Sequence, residues 1–412
     1  MDPYKLFHFD IKTLGNYGDT ILFEMVRETF NSFSNREAFY FEGSTNLRDA
    51  VYPRLVSAIN DKYDAVVIGG GGLFLSDTNP NQKSGWQWNC SIELLRAIEK
   101  PIIVFAVGNN RFLEQADFSE KFIEHVNLLA EKSIFFGLRN RGSVETIKEY
   151  LRPELRHKVV YQPCPTTISS KLCPDLYVPD LAPSRHLGVQ ALIGKRQLAA
   201  GFDKPGIYDE TVKGLKALKS KGWDVEVFAN ARGDLAFHNE AVERGLDVPL
   251  KNVYQTRQIF QAMNYFAKLP LTVGMRGHAQ MIPFGLGNPI LSLFVHNKLR
   301  WFLRDIGLEE LCIDVRQKNF ADEIVDKSEW IYNNFADLRV KLMAKQDEML
   351  QVTMNNLADI HHALGGKSRM AAVAPYSKFE RKLAQAVYLA GFDREELVHA
   401  QQAAKAKQAA AR

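Results

Sequence analysis

Arg276 and His278 stand one residue apart in Leu271-Thr272-Val273-Gly274-Met275-Arg276-Gly277-His278, where a short apolar run gives way to a helical pattern. The end of a parallel strand directs such residues into the crevice where ligands bind. Arginine offers a planar fork to a phosphate or carboxylate, and histidine moves protons near neutral pH. The same pair could instead cap local carbonyls. Lys298 opens a later helical pattern, and Arg139 ends the run Ile134 to Leu138. A lone cation is ordinarily solvated, so these two gain meaning only by converging on one anion. The turn Gly15-Asn16-Tyr17-Gly18-Asp19 lies between a first strand and a first helix. Its glycines and the free N–H groups of the helix start suit an anion, or Asp19 caps the helix.

Gly69-Gly70-Gly71-Gly72 follows the buried run Ala65 to Ile68. Four consecutive glycines cost conformational entropy, which suggests backbone lining a cleft, with Gly70, Gly71 and Gly72 as binding candidates. A dinucleotide fingerprint is a poor fit, because no clean helix follows at once and no acidic residue ends a second strand at the needed distance. Trp86 and Trp88 flank Gln87 in a Gly/Ser/Asn-rich loop, where they either stack on a sugar ring or pack in a core. Gly366-Lys367-Ser368 is not a phosphate loop, since position 361 is His361 and no strand precedes it. His361 and His362 are adjacent, which points them apart on a helix. The four cysteines, Cys90, Cys164, Cys173 and Cys312, form no CxxC pair, so free thiols and no metal site are expected. Serine-hydrolase elbows and HExxH are absent.

These residues need elements to hold them. The 412-residue chain is 46% hydrophobic and 24% charged, ordinary globular composition. No apolar run reaches the roughly 20 residues of a membrane span. The start, MDPYKLFHFD, lacks a signal-peptide pattern, so a cytoplasmic location is expected. The net charge is +4, of which the last 48 residues contribute +5. The body therefore carries no basic stripe for nucleic acid, while the basic tail suits an anionic membrane surface. Strand and helix patterns alternate over 1–170, break in the proline-rich stretch 162–186, which reads as a linker, and restart over 186–320. This predicts two α/β domains with mostly parallel sheets facing a cleft. Residues 321–364 read as a helical extension. Residues 365–412 read as a basic tail with an amphipathic stretch, Phe379 to Leu389, and a low-complexity end.

Taken in order, Asn16-Tyr17-Gly18-Asp19, Gly70-Gly71-Gly72, Leu138-Arg139-Asn140-Arg141 with Ser143, and Gly274-Met275-Arg276-Gly277-His278 through Gly287-Asn288-Pro289-Ile290 resemble the polysaccharide pyruvyl transferase family. Lys298 follows at the expected distance. The resemblance covers roughly residues 12–315. It implies two Rossmann-like halves arranged as in GT-B glycosyltransferases. It also implies phosphoenolpyruvate as donor, a carbohydrate acceptor that in some cases is lipid-linked, and a pyruvate ketal as product. No cofactor or metal is implied. By position, Arg276 and His278 match the family's donor-site pair, Lys298 its basic residue, and Arg139 a further donor-site candidate. Two positions depart from the pattern: Gly277 stands where a larger apolar residue is common, and Cys164 stands where an Asp between prolines is frequent.

Phosphoenolpyruvate joins a phosphate and a carboxylate on one small frame, so it calls for several cations. His278 is the candidate acid for its C3 carbon, and the cations stabilise the departing phosphate. Two other readings share these features. One is a nucleotide-sugar glycosyltransferase of the same architecture. The other is a non-catalytic carbohydrate-binding relative, kept open by Gly277 and Cys164.

Overall fold

A computed structural model describes residues 2–75, 83–112, 114–367 and 373–390. The first lobe is built on a six-stranded sheet. Its strands are β1 (Tyr4–Asp10), β2 (Phe39–Asn46), β3 (Ala65–Phe74), β4 (Ile102–Asn109), β5 (Ser133–Leu138) and β6 (Val159–Tyr161). They lie in the order β2-β1-β3-β4-β5-β6, all parallel. The second lobe has β7 (His186–Gln190), β8 (Asp224–Ala229), β9 (Leu250–Asn252), β10 (Leu271–Gly274), β11 (Ile290–Phe294) and β12 (Cys312–Asp314). Their order is β12-β11-β10-β7-β8-β9, again parallel. Strands such as β4, IIVFAVGN, are buried along their whole length, as expected for a parallel sheet covered on both faces. In each sheet the order reverses once, between β1 and β3 and between β7 and β10. Such switch points are where open α/β sheets bind ligands.

Several expectations need correction. The strand at 65–68 is not stopped by the glycines, because β3 runs through them to Phe74. Gly69 (φ +141°) presses on the Phe105 carbonyl of β4, where a Cβ would collide, so glycine lets the strand stay paired. The edge strand β2 and the helix Pro53–Lys62 did not stand out in the sequence, since β2, FYFEGSTN, is half exposed and carries a glycine and four polar residues after its aromatic start. The stretch 162–186 is no loose linker: short helical turns at Pro165–Ile168, Ser169–Leu172 and Pro174–Leu176 bury Cys164, Ile168, Leu172 and Cys173. Trp86 and Trp88 are 1% and 0% exposed. They pack on each other and on His125, so core packing is their role and sugar stacking is excluded.

The lobes are tied together closely. The Tyr17 N–H donates to the Asn230 carbonyl (2.8 Å) and the Tyr17 hydroxyl to that of Ile259 (2.6 Å). Gly285 lies directly on the Thr166 carbonyl. The helix Phe335–Ala363 starts on the second lobe, where the Arg339 guanidinium donates to the carbonyls of Gly287 (3.0 Å) and Val178 (2.6 Å). It ends on the first, where Asn356 donates to the Tyr161 carbonyl (3.0 Å) and His361 meets Tyr4.

The end of the chain also departs from a detached tail. Residues 378–390 form a helix with Arg381 and Tyr388 buried. The Arg381 guanidinium bonds Asp175, Gln385 accepts from the Ile259 N–H (2.7 Å), and Tyr388 donates to the Thr256 carbonyl (3.1 Å). Ser368 and the low-complexity end 391–412 lie outside the described residues.

Two substitutions test this packing. Arg381→Ala leaves Asp175 without its partner and the Tyr376 carbonyl without a donor, at an expected cost of about 1–3 kcal/mol. Gly285→Ala forces the helix His278–Gly285 off Thr166 and should cost at least as much. Urea unfolding should show lower midpoints for both, and an unchanged midpoint for Arg381→Ala would mean that the end helix is not docked in solution.

Candidate active site

The carboxyl ends of the two sheets enclose a cavity of about 640 Å³. Six cationic side chains line it (Arg48, Arg139, Lys195, Arg196, Arg276 and Lys298) against one carboxylate among the described residues, Asp19. The sequence candidates Asn16, Asp19, Gly72, Arg139, Arg276, His278 and Lys298 all meet there. Gly70 and Gly71 do not line it: their missing side chains would meet Leu22 and Ile11, so these glycines serve packing. Gly18 sits just behind the wall, and a Cβ on it would overlap the His278 ring.

Arg139 follows β5 and is only 6% exposed. A side chain on Gly108 would run into its Nε, and one on Gly72 into its Nη2 and Asn110. The two glycines thus make the slot in which the guanidinium lies. Among the described residues, its Nε has no hydrogen-bond partner. Burial lowers its pKa, with Asp19 and Cys164 opposing. A buried cation left unsatisfied is costly, and an anion in the cavity would relieve it.

Lys298 reaches the same place from the helix Asn297–Ile306, whose N-cap is His296. His296 Nδ1 accepts from the Lys298 N–H (3.1 Å), so its Nε2 carries the proton and donates to the Asn110 carbonyl (3.1 Å). The Lys298 ammonium donates to the Asn110 Oδ1 (2.8 Å), which links the two lobes across the cavity floor. Although Lys298 keeps an opening onto the cavity, burial lowers its pKa to about 7, helped by repulsion from Arg139 and Arg276.

Arg276 is aimed by a network that the sequence did not reveal. Its Nε donates to Asp234 (2.7 Å), a carboxylate only 1% exposed. The other oxygen of Asp234 accepts the N–H groups of Asn230 and Ala231 (2.9 Å each). Gln190 donates to Asp234 (3.1 Å) and accepts from the Arg276 N–H (3.0 Å). Arg276 is therefore fixed by β7, β8 and β10 together. The one signal available was a charged Arg-Gly-Asp turn after β8.

His278 begins the helix His278–Gly285. Burial first, and then Arg139 and Lys298, lower its pKa to about 3, so the ring is neutral. Its Nε2 lies 3.9 Å from the Cys164 thiol, which in turn meets the Thr166 hydroxyl (3.2 Å). A carboxylate at position 164 would hold the imidazolium, whereas the thiol, itself pushed up by burial, leaves the ring free to respond to a ligand. Gly277 opens space in which only the Lys298 stem stands near, at 3.9 Å.

On the first lobe, Asn16 caps the helix Tyr17–Ser32 by accepting from the Gly18 N–H (3.1 Å). Its amide donates to Asp19 (2.7 Å). Arg48 donates twice to Gln87 (2.9 and 2.6 Å), and Gln87 donates to the Gly72 carbonyl (2.9 Å). These polar groups form the wall opposite Arg276. The arrangement can bind a small, strongly anionic molecule deep in the cleft and present it to a polar partner from the first lobe.

Comparisons with known proteins agree with this architecture. The chain resembles the amylovoran biosynthesis protein AmsJ of Erwinia amylovora, at 22% identity over 79% of this chain and 80% of that protein. Its fold resembles that of S. aureus MnaA in complex with UDP, with TM-score 0.51 and 11% identity over 83% of this chain and 90% of that one. That likeness places the two facing lobes in the GT-B-like class. The profile of the polysaccharide pyruvyl transferase family matches residues 16–293, a span that holds every strand except β1 and β12. The chain belongs to the polysaccharide pyruvyl transferase family, and it is a transferase with a role in polysaccharide biosynthesis.

Proposed function

We propose that the chain transfers the enolpyruvyl group of phosphoenolpyruvate to two hydroxyls of one sugar, giving a pyruvate ketal. The observation that carries this reading is the Arg139 guanidinium, buried in a slot of two glycines with its Nε unpartnered and with Lys298 raising the local positive potential. A phosphate beside a carboxylate suits Arg139, Lys298 and Arg276, and the bidentate fork of Arg276 is already aligned by Asp234. Asn16, Asp19, Arg48 and Gln87 then face the acceptor. Hydrogen bonds from such groups fix the orientation of a sugar. Bound anion reverses the local electrostatics, so His278 gains a proton when the donor enters and gives it to C3. No cofactor is needed for this chemistry.

The described end of the chain supports a further part of the reading, contact with an anionic bilayer that carries a lipid-linked acceptor. Phe379, Leu383 and Val387 are exposed along one side of the end helix, next to Lys378 and Lys382. Among the described residues, no helix is long and apolar enough to cross a membrane.

The donor is tested by thermal shift. A ligand that binds only the folded state at a hundredfold excess over Kd adds about 2.7 kcal/mol. Phosphoenolpyruvate should raise the melting temperature, UDP and GDP should not, and Arg139→Ala should abolish the shift. Stabilisation by a nucleotide diphosphate alone would transfer the assignment to a glycosyltransferase.

A second test uses pH. With its free pKa near 7, Lys298 must take up a proton to hold the anion at higher pH. Affinity should therefore fall as pH rises above about 7, by up to tenfold per unit for one coupled proton. Lys298→Met should raise the melting temperature of the unliganded protein, because a desolvated cation is removed, while eliminating the donor shift. Titration calorimetry in buffers of different ionisation enthalpy, run well above pH 7, should show more than the one proton that His278 takes up, and uptake of one proton or none would show that this is wrong.

For the membrane contact, co-sedimentation with phosphatidylglycerol vesicles should be lost in Leu383→Asp, and equal binding to neutral phosphatidylcholine vesicles would count against it.

A further inference from the structure

We infer that Asp19 takes the proton from the first attacking hydroxyl of the acceptor and delivers it to the departing phosphate. The inference rests on the donor proposed above. Ketal formation removes two hydroxyl protons, and C3 consumes only one of them. The other must reach the phosphate, so a second proton carrier is required beside His278.

The cavity offers few groups able to serve. Arginines do not accept protons. Both ring nitrogens of His296 are committed, one to the Lys298 N–H and one to the Asn110 carbonyl. The Lys298 ammonium donates to Asn110, and in the reading above it keeps its charge to hold the donor anion. Among the described residues, Asp19 is the only carboxylate lining the cavity. It stands on the first turn of its helix, next to Gly18, which packs against the His278 ring, and both carriers line the one cavity. The Asn16 amide orients one of its oxygens. Burial raises its pKa while Arg48, Arg276, Arg139 and Lys298, all within electrostatic reach, act to lower it. That opposition keeps a carboxylate able both to accept and to release a proton.

The steps balance. As the first hydroxyl oxygen bonds to C2, its proton passes to Asp19, and the C2=C3 electron pair takes a proton from the His278 imidazolium to form the methyl group. Then the C2–O bond to phosphate breaks, the electron pair leaves on the phosphate, and Asp19 protonates it. The second hydroxyl adds to C2 and returns its proton to His278. One hydroxyl proton thus replaces that in the methyl group, the other ends on inorganic phosphate, and both residues are restored.

The test is Asp19→Asn, read by phosphate release, by the phosphoenolpyruvate thermal shift, and by the pH profile of kcat/KM. The amide keeps the shape but neither accepts nor releases a proton, so kcat should fall about 10²–10⁴-fold while the thermal shift remains. The fall in wild-type activity toward acid pH, as Asp19 becomes protonated, should be absent from the residual activity. Asp19→Glu should restore part of the rate. An active Asp19→Asn with an unchanged profile would overturn the assignment, and loss of the thermal shift in both variants would make Asp19 a binding residue instead. Wild-type protein that releases no phosphate with any acceptor would refute the donor reading itself, an outcome distinct from failure of Asp19 alone.

Discussion

A guanidinium held away from water without a full set of partners is the constraint around which this cleft is arranged. Arg139 is costly to bury, and its surroundings are shaped to tolerate it. Gly72 and Gly108 give up side chains to make its slot, and Asp19 supplies the one opposing carboxylate that lines the cavity among the described residues. The second lobe then adds Lys298 and His278 rather than a neutralising acid. Among the described residues, folding therefore leaves an excess of positive charge around the cavity. An anionic ligand gains there what the protein gave up, a familiar exchange of stability for function.

Arg276 illustrates the opposite treatment of the same residue type. Its charge is matched by Asp234, and its backbone is held by Gln190. It therefore presents a fixed fork instead of a charge in search of a partner. One arginine supplies driving force and the other supplies alignment, and the neutral ring of His278 lies within the field of the first. Alignment set in advance lowers the entropic cost of the reactive arrangement.

How far the sequence disclosed this follows from the kind of signal each part leaves. Buried parallel strands such as Ile102–Asn109 are unbroken apolar runs, and the residues just after them are natural site candidates, which is how Arg139, Arg276, His278 and Lys298 were legible. The edge strand Phe39–Asn46 lacks such a run. Asp234, Gln190 and Asn110 are single polar residues in ordinary surroundings, and Asp234 lies 42 positions from the arginine it orients. Only the sheet order brings them together. The glycines misled in part, since two of the three candidates exist to let strand and helix approach, while Gly108, standing alone in its strand, is one of the two that shape the slot. The proline-rich stretch read as a linker because prolines interrupt periodicity, yet its short turns bury as well as a regular helix does.

Up to residue 363 the chain passes between the lobes twice, first through the turns at 162–186 and again along the helix Phe335–Ala363. That helix is 29 residues long, about 43 Å at 1.5 Å per residue. Its far end brings His361 against Tyr4, so the polypeptide is topologically a ring closed by contact near its own beginning. A single nick in the first crossing would leave two fragments still clasped by the second. The enzyme is in that sense a natural candidate for splitting into complementing halves, with the cleft reassembled at a seam that evolution has already sewn twice.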